Sequence, residues 1–203
     1  MRDYSDVGVA ILAAGSSSRL GRPKQLVELE EKTLLQHTID QLSKVPLRTK
    51  WLILGANALE IVPLTNLGDF IPIVNEHWQE GIASSIRAAT QEATSNPEIN
   101  HLLVLVSDQP FLSTELIENL LLKHSKDREI TASAYADQVG VPAIFSRKYF
   151  GDLLELEGDK GAKRIIQKHL SKTALISFRN GEIDIDTEED IDKLKQQENE
   201  SYG

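Results

Sequence analysis

A short loop near the amino end combines small residues, hydroxyl groups and cations. It reads Leu12-Ala13-Ala14-Gly15-Ser16-Ser17-Ser18-Arg19-Leu20-Gly21-Arg22-Pro23-Lys24. The small residues let a ligand lie against the backbone, and the three serines can donate hydrogen bonds to it. Arg19 offers a forked positive charge and Lys24 a point charge, both of which suit phosphate oxygens. The loop therefore indicates a polyphosphate site, the alternative being a solvated glycine loop whose charges are incidental.

The distribution of charge supports the polyphosphate interpretation. The chain has 203 residues, of which 31 are acidic and 22 basic, and its formal charge is −9. Residues 7–27 nevertheless contain three cations and no acid, which predicts an electropositive pocket in a protein that otherwise repels anions. The overall acidity argues against general nucleic-acid binding. Because the chain has no cysteine, disulfides, thiolate metal sites and cysteine nucleophiles are excluded.

Three aspartates are candidate ligands for a divalent cation. Asp108 follows the apolar run 102–106, where a charge is costly unless it is paired or bound to a cation. Asp184 and Asp186 alternate with isoleucines, so on a strand their carboxylates would share one face. Alternatives stay open for all three, since Asp108 could cap a turn and the other two could lie on a solvated edge strand.

Polar residues around a later glycine could contact the rest of a substrate. Asn75 ends an apolar run and has the groups to hydrogen-bond a base or a ribose. Gly81, Ser84 and Ser85 open a helix, whose first amides could face a phosphate or a pterin. Simple capping of that helix by Ser84 is an equally supported alternative.

Apolar runs alternate with helical patterns along most of the chain, which predicts an α/β protein. The alternation favours a mostly parallel sheet with helices on both faces, and ligands bind such sheets at the carboxyl ends of the strands. We expect one domain over residues 1–203 with a frayed end at 198–203, and a soluble, cytoplasmic location. The predicted strands are 7–12, 51–54, 70–74, 101–106, 130–136 and 141–145, and the predicted helices are 33–45, 82–93, 113–124, 160–169 and 187–197.

The motifs of the chain resemble those of the MobA-like nucleotidyltransferase family. The loop is similar to the family's L-A-A-G-x-S-x-R-x-G-x-P-K signature, and the closest branch is that of the molybdenum cofactor cytidylyltransferases. Two positions depart from the pattern, Ser107 for the usual Gly and Glu188 for the usual Pro. The further matches are N-x₅-G-x-x-S-S from Asn75, D-x-P from Asp108, G-x-P from Gly140, G-D-x-G-A from Gly158 and D-I-D-T from Asp184.

This resemblance implies a Rossmann-like nucleotidyltransferase fold and a role for each motif residue. Arg19, Lys24 and Asp108 would be catalytic, and Mg²⁺ would be held by Asp108, Asp186 and Asp184. The nucleotide would contact Leu12, Ala13, Ala14, Gly15, Ser16, Ser18, Arg19, Lys24, Asn75 and Ser107, and the acceptor would contact Gly81, Ser84, Ser85, Pro142, Asp159 and Gly161.

The implied reaction is transfer of CMP from CTP to the phosphate of molybdenum-molybdopterin, with release of pyrophosphate. Ala14, where guanylyl-transferring relatives usually have Gly, resembles the cytidylyl branch and favours CTP. Alternatives are GTP, a different acceptor such as a sugar, alcohol or lactate phosphate, or a non-catalytic nucleotide-binding or cofactor-delivery protein. A molybdoenzyme or its chaperone is the expected protein partner, whereas no nucleic-acid or membrane partner is expected.

Overall fold

The computed structural model describes residues 4–29, 31–124, 129–185, 187–192 and 194. Within these residues, seven strands form the main sheet and two short ones form a separate hairpin. The main-sheet strands are Val7–Ala13 (β1), Thr49–Leu54 (β4), Ile71–Val74 (β5), His101–Val106 (β6), Ile130–Tyr135 (β7), Gln138–Ser146 (β8) and Thr173–Ser177 (β9), and the hairpin strands are Glu28–Leu29 (β2) and Lys32–Thr33 (β3).

Six helices connect the strands in the described part of the chain. Two of them begin at predictable caps, since Thr33 Oγ1 accepts from Gln36 N at 3.1 Å and Ser113 Oγ from Leu116 N at 3.2 Å. The helices are Leu34–Ser43 (α1), Ala58–Ile61 (α2), Ile82–Ser95 (α3), Thr114–Lys123 (α4), Phe150–Leu154 (α5) and Lys163–Lys168 (α6); single 3₁₀ turns lie at Lys24–Leu26, Val62–Leu64, Trp78–Glu80, Arg147–Tyr149 and Leu170–Lys172.

The main sheet is mostly parallel, as the sequence predicts. Its order is β5-β4-β1-β6-β8-β7-β9, and β8 runs antiparallel to both of its neighbours while the other pairs are parallel. The carboxyl ends of β5, β4, β1 and β6 therefore meet at one edge of the sheet. The loops that follow these four strands carry most of the candidate site residues.

Side chains of β1 alternate between two apolar layers. Val9 and Ile11 point into a layer with α1 and α4, whereas Ala10 and Leu12 point into a layer with α3, α5 and α6. Both faces of the central strands are thus covered by helices, which confirms the predicted α/β architecture. Burial on both faces also explains why these strands are continuous apolar runs rather than alternating ones.

A third apolar cluster joins the opening loop region to the segment that contains the closing motif. Leu20 and Val27 from the opening loop region pack with Ile185, Ile191 and Leu194. Residues 188–192 are helical, as predicted for the start of the last helix. The cluster fixes the opening loop against the closing motif, although the two are more than 150 positions apart.

The structure differs from the expected elements in two places, at the edge strand β5 and at the closing motif. The run 70–74 forms an edge strand, not a buried one, because Ile71 is 52% exposed and Pro72 cannot donate to a further strand. Asp184 lies in an irregular segment instead of a strand, and Asp186 lies outside the described residues. The expected frayed end at 198–203 is also outside them.

Among the described helices, none combines the length and the apolar character needed to cross a membrane. The single-domain expectation stays a prediction.

Candidate active site

A cleft of about 330 Å³ opens at the carboxyl edge of the parallel strands. It is bordered by the loops that follow β1 and β6 and by the beginning of α3. The predicted residues that line it are Leu12, Ala13, Ala14, Gly15, Ser16, Lys24, Gly81, Ser85, Ser107, Asp108 and Asp159, and the lining residues that were not predicted are Gln25, Trp78, Gln79, Ile82 and Val106.

An ion pair between Lys24 and Asp108 crosses the cleft. Lys24 Nζ donates to Asp108 Oδ2, and the two side chains are 17% and 16% exposed. The other carboxylate oxygen, Asp108 Oδ1, is buried and has no hydrogen-bond partner among the described residues. A buried oxygen of a carboxylate that accepts nothing is costly to leave unsatisfied, so it is the natural place for a cation to bind.

The opening loop is folded back on itself by Ser17. Its hydroxyl accepts from Lys24 N at 2.9 Å, while its carbonyl accepts from Leu20 N at 3.0 Å and from Gly21 N at 3.1 Å. These bonds return Lys24 to the cleft after a turn of several residues. Arg19 and Ser18 lie on the exposed outer part of the loop and do not line the cleft.

Gln25 secures the start of the loop from beneath. Its Nε2 donates to the carbonyl oxygens of Ala13 at 2.8 Å and Gly15 at 3.2 Å. The residue is buried, and its Oε1 has no partner in the part of the chain that the structure describes. The only sequence signal for this role is an amide side chain directly after Lys24, at the start of an otherwise apolar segment.

The closing motif lies beside Asp108. Ile185 N donates to Asp108 O at 3.3 Å, so the closing motif contacts the backbone of Asp108, although the exposed Asp184 does not line the cleft. Burial, together with the negative charges of Asp184 and Asp108, raises the pKa of the Tyr135 hydroxyl. Arg22 also holds this segment, through paired hydrogen bonds of 3.0 and 3.1 Å to Glu188.

A divalent cation fits this donor set. No group of three or more metal-ligating side chains occurs among the described residues, and Asp186 is not one of them. Asp108 nevertheless offers the hard oxygen that such a cation prefers, and Mg²⁺ is commonly bound by one or two carboxylates together with substrate phosphates. Asp108 would therefore be the principal protein ligand.

The beginning of α3 is locked against the turn that contains Asp159. Gly81 has φ of +95°, and a side chain at this position would collide with Asp159 Oδ1 and with the Gly158 carbonyl. Ala83 N donates to Gly158 O at 3.1 Å. This contact places the exposed Asp159 carboxylate at the rim of the cleft, whereas Gly161 lies outside the lining.

Asn75 holds the cleft wall from behind. Its Nδ2 donates to Ser84 Oγ at 2.8 Å and to Ser85 Oγ at 3.1 Å, and its Oδ1 accepts from His77 N at 3.0 Å. Ser84 Oγ in turn donates to Gly81 O at 2.9 Å. Of this network only Ser85 and Gly81 line the cleft. Asn75 and Ser84 do not face the cleft but are hydrogen-bonded to these lining residues.

Pro142 is buried on β8, where its carbonyl accepts from Ser133 Oγ at 2.8 Å, and it does not line the cleft. Trp78, which the sequence presents as a packing or rim residue, does line it.

A mostly parallel sheet with helices on both faces and a cleft at the carboxyl ends of its strands is typical of Rossmann-like nucleotide-binding α/β proteins. The model of the MobA-like NTP transferase domain matches residues 9–173. The chain belongs to this family, which confirms the resemblance seen in its motifs.

Relatives with full or partial coverage are consistent with this assignment. The chain is 30% identical, over 96% of each chain, to "Nicotine blue oxidoreductase" of Paenarthrobacter nicotinovorans. It is 29% identical to "Molybdenum cofactor guanylyltransferase" of Rhizobium johnstonii, over 64% of this chain and 59% of the relative. Rv0371c of Mycobacterium tuberculosis shares the fold with a TM-score of 0.81 and 28% identity, over 95% of this chain and 98% of that one.

One of the similar solved structures contains a divalent metal. A second structure of Rv0371c, 26% identical with a TM-score of 0.75 over 94% of this chain and 98% of that one, is a complex with manganese. The chain is thus a nucleotidyltransferase of the MobA-like family, related to a molybdenum cofactor guanylyltransferase.

Proposed function

We propose that this protein transfers CMP from CTP to the phosphate of molybdenum-molybdopterin in a Mg²⁺-dependent reaction. The observation that carries the proposal is the ion pair of Lys24 with Asp108, in which one carboxylate oxygen is buried and unpartnered within the described chain. A cation for the triphosphate and an oxygen ligand for the metal are thereby next to each other.

The reaction needs alignment and charge compensation more than proton transfer. A phosphate oxygen of the acceptor attacks the α-phosphorus of CTP, the bond from that phosphorus to the α–β bridging oxygen breaks, and pyrophosphate leaves with the bonding electrons. Because a phosphate monoester carries about −1.5 to −2 charges at pH 7, no base has to activate it. Positioning and electrostatic stabilisation are the expected sources of rate.

The residues that are expected to be catalytic or to hold the metal have the following parts in this scheme. Lys24 turns from Asp108 to the incoming triphosphate and compensates its charge, and Arg19 approaches the phosphates from the outer part of the loop. Asp108 would hold the metal, which would supply Lewis acidity to the phosphoryl group. Asp184 and Asp186 assist Asp108 from the closing motif.

The acceptor enters beside Gly81, Ser85 and Asp159, at the end of the cleft formed by α3. The other predicted acceptor contacts, Ser84, Pro142 and Gly161, do not line the cleft. The product, molybdopterin cytosine dinucleotide, would pass to a molybdoenzyme or to its chaperone.

The test is pyrophosphate release with each of the four ribonucleoside triphosphates, in the presence of Mg²⁺ and purified molybdenum-molybdopterin. CTP should support the fastest release, and omission of the acceptor should abolish it. Preference for GTP would contradict the choice of base. Equal turnover with a sugar, alcohol or lactate phosphate would contradict the choice of acceptor.

The same assay addresses the other chemistries that the fold can host. One relative is named an oxidoreductase. A cofactor-delivery protein, which is a second alternative, would bind CTP without splitting it. Nucleotidyl transfer is favoured here because a lysine and a carboxylate facing each other match a polyphosphate and its metal. Binding of CTP without pyrophosphate release would contradict an enzymatic role.

A further inference from the structure

The wall of the cleft beside the opening loop is apolar. Leu12 and Val106 are register partners at the ends of β1 and β6, and both line the cleft. Ala14, Ile82 and Trp78 complete this wall. Trp78 is the one aromatic side chain among the described lining residues, and it is half-buried.

Trp78 is held directly against the loop that is expected to bind the phosphates. A Cβ on Gly55 would lie 2.7 Å from Trp78 Cβ and 2.9 Å from Ala14 Cβ. Gly55 follows β4, and the absence of a side chain there is what allows the Cβ atom of Trp78 and the loop at Ala14 to approach each other. The 3₁₀ turn Trp78–Glu80 fixes the residue between β5 and α3.

A heteroaromatic ring attached to the bound triphosphate would meet this side chain. In the proposed function, Lys24 and a metal held by Asp108 bind the phosphates at the polar side of the cleft. The ring of the same ligand must then extend along the loop, past Ala14. Stacking on an aromatic face is favourable for every nucleobase, because each has a π-face.

We propose that the indole of Trp78 is the stacking surface for the nucleobase of the triphosphate, and hence a substrate-binding residue of this enzyme. The inference rests on the proposed function, since it assumes that the cleft binds a nucleoside triphosphate. It assigns the base, and not the pterin of the acceptor, to the wall formed by Trp78 and Ala14.

Intrinsic fluorescence of the full-length chain with Mg²⁺ tests this directly. The chain has two tryptophans, and the other, Trp51, is buried in the sheet. CTP should change the emission of the wild type but not that of Trp78→Phe. Inorganic tripolyphosphate, which has no base, should bind without this change.

Affinities of the variants make the inference quantitative. Trp78→Ala should weaken CTP binding by about 5- to 150-fold, the range for loss of one stacked base, while its affinity for tripolyphosphate stays unchanged. Trp78→Phe should retain most of the CTP affinity. His77→Ala is the matched control, because its side chain is 74% exposed and does not line the cleft, and it should behave as wild type.

Four results would overturn the inference. The first is an unchanged CTP affinity in Trp78→Ala, and the second is an equal loss of affinity for CTP and for tripolyphosphate in that variant. The third is equally tight binding of CTP and tripolyphosphate by the wild type. The fourth is a Trp78→Ala variant in which only the KM for the acceptor is raised. If GTP replaces CTP with the same dependence on Trp78, the base assignment of the proposed function fails while the stacking role is supported. If the wild type binds no triphosphate, both fail.

Discussion

Lys24 and Asp108 are the two side chains on which the proposed chemistry most depends. The residue types of the opening loop predict a phosphate site around Lys24, whereas the role of Asp108 as a metal ligand is implied by the family resemblance, and both assignments stay predictions. Their direct contact was not predictable, because it depends on the turn at Ser17 that brings Lys24 back to the cleft. The structure thus joins two separate sequence predictions into one site.

Removal of the Lys24 charge should impair turnover strongly. Lys24→Ala should lower kcat/KM for CTP by about 10²- to 10³-fold, as for loss of one preorganised group that stabilises transition-state charge. Steady-state pyrophosphate release measures the effect. Lys32→Ala is the control, because Lys32 forms an exposed ion pair with Asp40 outside the cleft and should leave kcat/KM unchanged. Wild-type kcat/KM in Lys24→Ala would contradict the role.

Ala14 is expected to influence the choice of base. Ala14→Gly removes one methyl group from the wall of the cleft and should raise kcat/KM for GTP relative to CTP by about tenfold, since one methyl-sized change in a pocket is worth about 1–3 kcal/mol. Competition between the two triphosphates in one assay measures the ratio. Ala10→Gly is the control, because Ala10 lies on β1 outside the cleft lining and should leave the ratio unchanged. An unchanged ratio in Ala14→Gly would show that the methyl group does not select the base.

Asn75 and Trp78 illustrate how far single residues can be interpreted from sequence. The hydrogen-bonding capacity of Asn75 was evident, but its partners proved to be Ser84, Ser85 and the His77 amide. Trp78 gave no functional signal, because an aromatic residue after a strand is equally typical of packing. Its place in the cleft follows from the close approach at Gly55, which only the folded structure shows.

Among the elements, the central strands were the most predictable. Their continuous apolar runs identify burial on both faces, whereas the same kind of run at 70–74 belongs to an exposed edge strand. The antiparallel direction of β8 follows from its hairpin connection to β7, which periodicity does not reveal. Elements of few residues, such as β2, β3 and α5, lack a sufficient pattern to be predicted.

A half-buried histidine pair joins β6, α4 and β7. His124 Nε2 lies 2.9 Å from His101 Nδ1, and His124 Nδ1 lies 3.0 Å from Thr131 Oγ1. Burial, and secondarily the neighbouring His101, lowers the pKa of His124 to about 4. Burial also lowers the pKa of His101, which Asp6 at 3.6 Å only partly opposes.

This pair should make the fold sensitive to acid. The unfolded chain binds protons that the native histidine pair excludes. The contribution of the pair to stability is therefore full above about pH 6.5 and is lost as the pH falls towards 4. The slope for one such group is at most about 1.4 kcal/mol per pH unit. Urea unfolding at several pH values measures it. His124→Gln should flatten the dependence of the unfolding free energy on pH, whereas His77→Gln should leave it unchanged. Equal slopes in the wild type and both variants would contradict the explanation.

Across the whole molecule, the opening loop and the closing motif meet beside the cleft. The charge segregation seen in the sequence becomes a cationic loop next to an acidic closing segment, joined by Arg22 and Glu188. The apolar cluster of Leu20, Val27 and Ile191 lies beneath this contact. Motif order suggested that both segments serve one site, but not that each supports the other.

The contact between the opening loop and the closing segment should affect nucleotide binding as well as stability. Ile191→Ala leaves a cavity under the loop and should lower the free energy of unfolding by about 2–4 kcal/mol and raise KM for CTP. Leu153→Ala, in the layer on the α3 side of the sheet, should destabilise comparably without a change in KM. Urea unfolding and steady-state kinetics give the two quantities. Equal KM values in the two variants would contradict the coupling.

The central claim is that Asp108 binds the metal that accompanies the triphosphate. Binding of Mn²⁺ in the presence of saturating CTP, followed by electron paramagnetic resonance, tests it without any acceptor. Loss of a group that only orients a metal ligand typically costs 10–100-fold in affinity, so Asp108→Asn should weaken Mn²⁺ binding by at least about 100-fold while CTP still binds. Wild-type Mn²⁺ affinity in Asp108→Asn would contradict the claim.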